Sequence, residues 1–121
     1  MAELWLQKMR REKRDWRLHE LRVAKLPPDY RVVMKLITKY LWNFAGDGRQ
    51  MIEVLYGIRD LFEEGAASGR PVLAVTGDDV AAFAWNVLME AQTSTWMGKK
   101  AAHLNADVKA ALAGQALPDG A

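Results

Sequence analysis

Apolar residues return every three or four positions along most of this chain, the period of a helix with one buried face. The clearest stretch is residues 29–44. There Tyr30, Val33, Met34, Ile37, Tyr40, Leu41 and Phe44 form one apolar stripe, with Arg31, Lys35, Thr38 and Lys39 mostly on the other side. Pro28 suits the first helical position, where its missing N–H costs nothing, and Asp29 suits the positive end of the helix dipole. Residues 49–64 repeat the pattern. Met51, Ile52, Leu55, Ile58, Leu61 and Phe62 make a buried face, and Glu53, Asp60, Glu63 and Glu64 an acidic one. Gly46-Asp47-Gly48 separates these two helices, and Gly65 and Gly69 bracket the stop of the second.

On either side the pattern is broader. Residues 3–25 lack Gly and Pro and are rich in Leu, Arg, Lys and Glu, all good helix formers. Trp5, Met9, Trp16 and Val23 fall at near-helical spacing, Leu4, Leu18 and Leu21 widen the stripe, and Pro27-Pro28 ends it. Residues 71–75 are apolar and could pair as a short strand. With no other convincing strand to pair with, an extended linker is expected there. Thr76 is expected to cap the next helix, with Asp78 and Asp79 at its positive end. Val80, Phe83, Ala84, Val87, Leu88 and Ala91 then point inward, and Trp96, Met97, Ala101, Leu104, Val108, Ala111 and Leu112 extend the pattern across Gln92-Thr93-Ser94-Thr95. The expected fold is all-α, a compact bundle of four to five helices with no sheet, in a single domain over residues 1–113 with a flexible tail over 114–121. Met34, Ile37, Leu41, Leu55, Phe62, Phe83 and Val87 are its expected core.

Composition agrees with a globular chain. It is 50% apolar and 26% charged over 121 residues, enough to bury a core without covalent staples. Cysteine is absent, which excludes disulfides and thiolate metal sites. No run approaches the roughly 18 apolar residues of a membrane span. The first positive charges follow the opening apolar residues, the reverse of a secretory signal, so the cytoplasm is the expected compartment. The net charge of +2 hides an asymmetry. Residues 1–25 hold eight basic and four acidic side chains, a net +4, and the remainder nine basic and eleven acidic, a net −2.

Several blocks together resemble a known family: Lys13-Arg14-Asp15-Trp16, Leu26-Pro27-Pro28-Asp29-Tyr30-Arg31, Lys39-Tyr40-Leu41-Trp42, Leu61-Phe62-Glu63-Glu64-Gly65-Ala66-Ala67, and the stretch from Val75-Thr76-Gly77-Asp78-Asp79 to Phe83. In order and spacing, over about residues 8–90, they look like the bacterial domain-of-unknown-function 1048 family; the part from Thr93 onward matches less clearly. The resemblance implies a small all-helical protein without an assigned activity. It also implies a setting beside transcriptional regulators of the PadR type and membrane transporters, with such a regulator or another protein encoded nearby as a partner. It supplies no catalytic residues.

Candidate chemistry is sparse. His19 and His103 lie on separate segments without the His-x-x-x-His spacing that puts two imidazoles on one helical face, and read as surface or satisfied histidines. Ser68 and Ser94, the two serines, lie outside any Gly-x-Ser-x-Gly turn. Glu63-Glu64 and Asp78-Asp79 are neighbours that point about 100° apart on a helix, so neither pair clamps one metal or shares a proton by itself. No glycine run cradles a phosphate. No catalytic, metal or cofactor site is therefore expected. Arg10, Arg11, Lys13, Arg14 and Arg17 form a candidate basic patch, interrupted by Glu12 and Asp15 and spread over several faces. Weak, salt-sensitive contact with nucleic acid is the most it offers. Pairing of this helix's arginines with acids such as Glu63 and Glu64 is the simpler expectation. Five tryptophans in so short a chain suggest contact with another chain, where Trp is enriched, or else a second buried face. Trp5, Trp16, Trp42, Trp85 and Trp96, with Leu104 and Val108, form the candidate interaction surface. The expected function is a non-enzymatic interaction protein that forms a homodimer and binds a protein partner. The alternatives are a small-molecule-binding module using the tryptophans and a weak nucleic-acid accessory using helix 8–25.

Overall fold

A computed structural model describes residues 2–44 and 48–114. They form five α-helices: α1 (Ala2–Ala24), α2 (Pro28–Trp42), α3 (Gly48–Ala67), α4 (Val72–Thr76) and α5 (Val80–Leu112). No strand occurs among the described residues, so the chain is all-α as its periodicity requires. The chain divides into two compact units, Met1–Leu88 and Met89–Ala121. The expected tail falls on residues 114–121, of which 115–121 lie outside the described residues.

The core of the first unit is the stripe read from α2 and α3. Tyr30, Met34, Ile37 and Leu41 of α2 are buried against Met51, Val54, Leu55, Ile58 and Phe62 of α3 and its neighbours, and Phe62 and Leu55 are fully enclosed. Burying each such aliphatic or aromatic side chain contributes roughly 1.5–3 kcal/mol. Phe62 anchors two contacts, edge-on to Tyr30 at 5.3 Å and stacked with Phe83 at 6.3 Å. Of the expected core, Phe83 and Val87 are only half-buried, because Ala84 and Leu88 take the innermost face of α5. Leu61 and Phe44, read as stripe members, are exposed.

The joints follow from their residues. Pro28 begins α2 as expected, and Arg31 N–H donates to the Pro27 carbonyl to close the first turn. At the end of α3, Gly69 N–H donates to Ala66 O and Arg70 N–H to Gly65 O. This paired closure places Gly69 in the left-handed region at φ +73. Gly65 itself lies where three helices meet. A Cβ there would sit 2.5 Å from Val75 Cγ2 and 2.8 Å from the Tyr30 hydroxyl, which donates at 2.6 Å to Arg70 O.

Two expectations at the α4 joint are corrected. Residues 72–76 form a single helical turn rather than an extended linker, because Val72 and Thr76, four apart, are both buried on one side of it. Thr76 therefore ends α4 and does not cap α5; its hydroxyl donates to Gly77 O. The cap of α5 is Asp79, whose carboxylate accepts from Ala82 N–H at 3.0 Å. Between the two helices Gly77 adopts φ +79 and ψ 174. The polar run 92–95 does not interrupt α5.

Candidate functional site

Helix α3 has two working faces. One is the apolar face turned to α2. The other carries Tyr56, Arg59, Asp60 and Glu63, spaced three, four and seven apart so that they share one stripe. Helix α1 meets this stripe with Trp16, His19 and Arg22. The result is the densest polar junction among the described residues.

Its centre is His19, 3% exposed, beside Arg59, 7% exposed. Arg59 Nη1 lies 3.2 Å from His19 Nδ1. A guanidinium can only donate, so Nδ1 accepts and the neutral ring carries its proton on Nε2. The imidazole is flanked by Trp16 at 4.9 Å and Tyr56 at 5.0 Å, and the Arg59 guanidinium also lies over the Tyr56 ring at 5.0 Å. Arg59 donates from Nε and Nη2 to Asp60 Oδ1, at 3.1 and 2.9 Å. The same oxygen accepts from Arg22 Nη2 at 3.1 Å, and Arg22 pairs with both carboxylate oxygens of Glu63. The expected pairing of an α1 arginine with Glu63 is thus formed, by Arg22.

Electrostatics follow the geometry. Burial, then the positive charges of Arg59 and Arg22, lower the pKa of His19 from 6.5 to about 4, against the weaker opposite pull of Asp60 and Glu63. The hydrogen bond to Glu63 holds Arg22 protonated above its ordinary range. Burial and the nearby charge of Asp15 raise the Tyr56 phenol. At neutral pH the junction therefore holds an uncharged imidazole whose accepting nitrogen is already taken. That is a structural pairing of α1 to α3. It is not the geometry of a general base, whose free nitrogen must reach a substrate proton. No group of three His, Asp or Glu residues able to hold a metal occurs among the described residues.

The candidate interaction residues separate. Trp16 is half-buried in this junction. Trp5 is 62% exposed near the start of α1. Trp42 and Trp85 are each partly exposed, and Trp85 meets Phe44 edge-on at 5.5 Å, with Tyr40 packed on Phe44 at 5.1 Å. Trp96 falls within α5, but its side chain lies outside the described residues. Leu104 and Val108 are exposed on the second unit, with Met97 and Leu112. Arg10, Arg11, Lys13, Arg14 and Arg17 are all exposed along α1, and Lys13 and Arg17 share a shallow cleft with Met9, Glu12, Trp16 and Glu20. His103 is exposed.

The buried pair His19–Arg59 escapes a motif search but has a positional signal. Arg59 is four residues after Leu55 and three before Phe62, and His19 is three after Trp16 and four before Val23. Each is a chargeable residue at core spacing. A groove of about 260 Å³ was not foreseen either. It runs between α2 and the start of α5, lined by Val33, Leu36, Ile37, Tyr40, Val80, Ala81 and Ala84. Among the described residues no helix is long and apolar enough to cross a membrane.

Comparison with known proteins gives a family and a fold. No curated protein matches the chain. Among solved structures, a DUF1048 protein with a left-handed superhelix fold from Bacillus cereus is similar, with 51% sequence identity and a TM-score of 0.59. The match covers 62% of this chain and 94% of that one. The model of a protein family of unknown function matches residues 7–109, reaching further along α5 than the sequence blocks that first suggested it. The chain belongs to the DUF1048 family.

Proposed function

We propose that this protein is a non-enzymatic interaction module that self-associates through the second half of α5. The observation that carries the reading is the surface of residues 97–112. Met97, Leu104, Val108 and Leu112 are 60%, 63%, 49% and 85% exposed. Met97, Ala101, Leu104, Val108 and Ala111 give the series 97, 101, 104, 108, 111, spaced four, three, four and three, with Leu112 beside its last member. That is the seam of a helix that packs lengthwise on another helix. An exposed apolar row of this kind marks a contact site, and a two-fold dimer is the commonest way to close one.

The aromatic face of α2 and early α5 supports a second protein contact, with a partner such as a PadR-type regulator encoded nearby. The groove there has an almost wholly apolar lining and no convergent charged anchors. It suits an apolar side chain of a protein better than a small polar ligand, which needs fixed polar partners.

Sedimentation velocity on the full chain from about 1 to 100 µM tests self-association. The expected result is a concentration-dependent dimer that the double variant Leu104→Glu, Val108→Glu converts to monomer without changing its circular dichroism. A monomer at every concentration overturns the reading.

A further inference from the structure

The only fully buried residue of α1 is a histidine. That ring, the half-buried Met9, Trp16 and Val23, and the exposed Arg22 ion pairs are among the holds of these twenty-three helical residues on the body. Exposed ion pairs are screened by water and contribute little. The attachment therefore depends on His19 keeping its accepting nitrogen free of a proton. A second proton would go to Nδ1, the atom to which Arg59 donates. Two donors would then face each other at 3.2 Å, with two positive charges in a site almost closed to solvent.

The surroundings do not relieve this. From α3 the ring faces Tyr56, Arg59, Asp60 and Glu63, but Asp60 is already shared by Arg59 and Arg22, and Glu63 is held by Arg22. From α2, Arg31, Lys35 and Lys39 line the groove that α1 makes with it, together with Glu20 of α1, and all three are cations. On the other side, Lys8, Glu12 and Asp15 of α1 and Glu53 of α3 border the cleft beside Tyr56. The joint that follows α1 is Leu26-Pro27-Pro28, where the two prolines break the helix and the buried Leu26 anchors the chain, so α1 can lift away and fray, being marginal as an isolated helix, while α2 stays folded.

We propose that α1 is an acid-released latch: protonation of His19 undocks residues 2–24 from α3 at the Pro27-Pro28 joint, while α2, α3 and α4 stay folded. The sign follows from linkage. The docked ring binds its proton less tightly than the free one, so docking is fully present above the undocked value of 6.5 and is lost as pH falls toward about 4. The undocking equilibrium rises about 30-fold between pH 7.5 and pH 5, and levels off below about pH 4.

Hydrogen–deuterium exchange on the full chain, corrected for the intrinsic pH dependence of exchange, reads this directly. Peptides of α1 should lose protection about 30-fold between pH 7.5 and pH 5 while those of α2 and α3 hold theirs. His19→Gln, which can still accept from Arg59 but cannot be protonated, should abolish the pH dependence of α1 alone. The proposal is overturned if α1 protection does not change with pH, if the loss persists in His19→Gln, or if α1 and α2 open together. Should His19→Gln fail to fold, titration of the wild-type His19 ring by NMR decides. A midpoint below 6.5 that coincides with the opening of α1 supports the latch, and a ring that titrates at the ordinary value with α1 still protected overturns it.

Discussion

Helix α2 has 15 residues and buries Tyr30, Met34, Ile37 and Leu41; helix α1 has 23 and buries His19. Both pack on α3, on different faces of it. The α2 contact is made of buried apolar side chains, so its strength rests on shape and on apolar surface removed from water. The α1 contact is aromatic and charged, and its strength rests on protonation and on water being kept out. A longer helix is thus the less firmly attached one, because length adds stability only where it removes apolar surface from water.

The contrast can be broken most forcefully on the apolar side. Phe62→Ala removes a fully enclosed ring that touches Tyr30 and Phe83, and should cost about 3–5 kcal/mol, read as a fall in the denaturant midpoint at constant slope. An unchanged midpoint would show that the α2–α3 face is not the core. Gly65→Ala tests the closeness of the same packing. Its added methyl meets Val75 and the Tyr30 hydroxyl, and overpacking of about 1–3 kcal/mol outweighs the helix propensity gained, up to about 1 kcal/mol. A net loss of about 1–2 kcal/mol in chemical denaturation is expected; a gain would mean that the three helices can part there at no cost. Arg22→Ala marks the lower end. Its side chain is 45% exposed and its partners Asp60 and Glu63 are 59% and 32% exposed, so the loss should stay below about 1 kcal/mol and shrink as salt is added. A larger loss that salt sharply reduces would show that the ion pairs, and not the His19 cluster, hold α1.

How far the sequence discloses this arrangement differs along the chain. The α2 stripe is legible because Tyr30, Met34, Ile37 and Leu41 repeat at helical spacing over three turns and face a partner with the same repeat. The α4 turn is not, since five apolar residues are too few to reveal a period; its helical form is set by what Val72 and Thr76 find beneath them. Phe44 and Leu61 obey the period yet remain exposed, because periodicity fixes which side of a helix a residue takes and not how far the neighbouring helix extends over it. His19 and Arg59 lie at core positions with side chains that ordinarily avoid them. The spacing places each on an inward face, but only the fold brings the two residues, forty apart in sequence, within hydrogen-bond distance.

The joint between α4 and α5 has a consequence of handedness. Gly77, at φ +79 and ψ 174, occupies a region open essentially to glycine alone, which Asn and Asp do not rescue as they do an ordinary left-handed turn. Inverted through its mirror image, the same pair of angles is the extended conformation that most residues favour. The constraint is therefore on chirality and not on size, since a Cβ at this position would meet nothing within 4 Å. An alanine of the natural hand is strained there. Its enantiomer, introduced by chemical ligation, sits at ease and narrows the unfolded ensemble as well. A backbone position that would reject the commonest small side chain thus accepts its reflection.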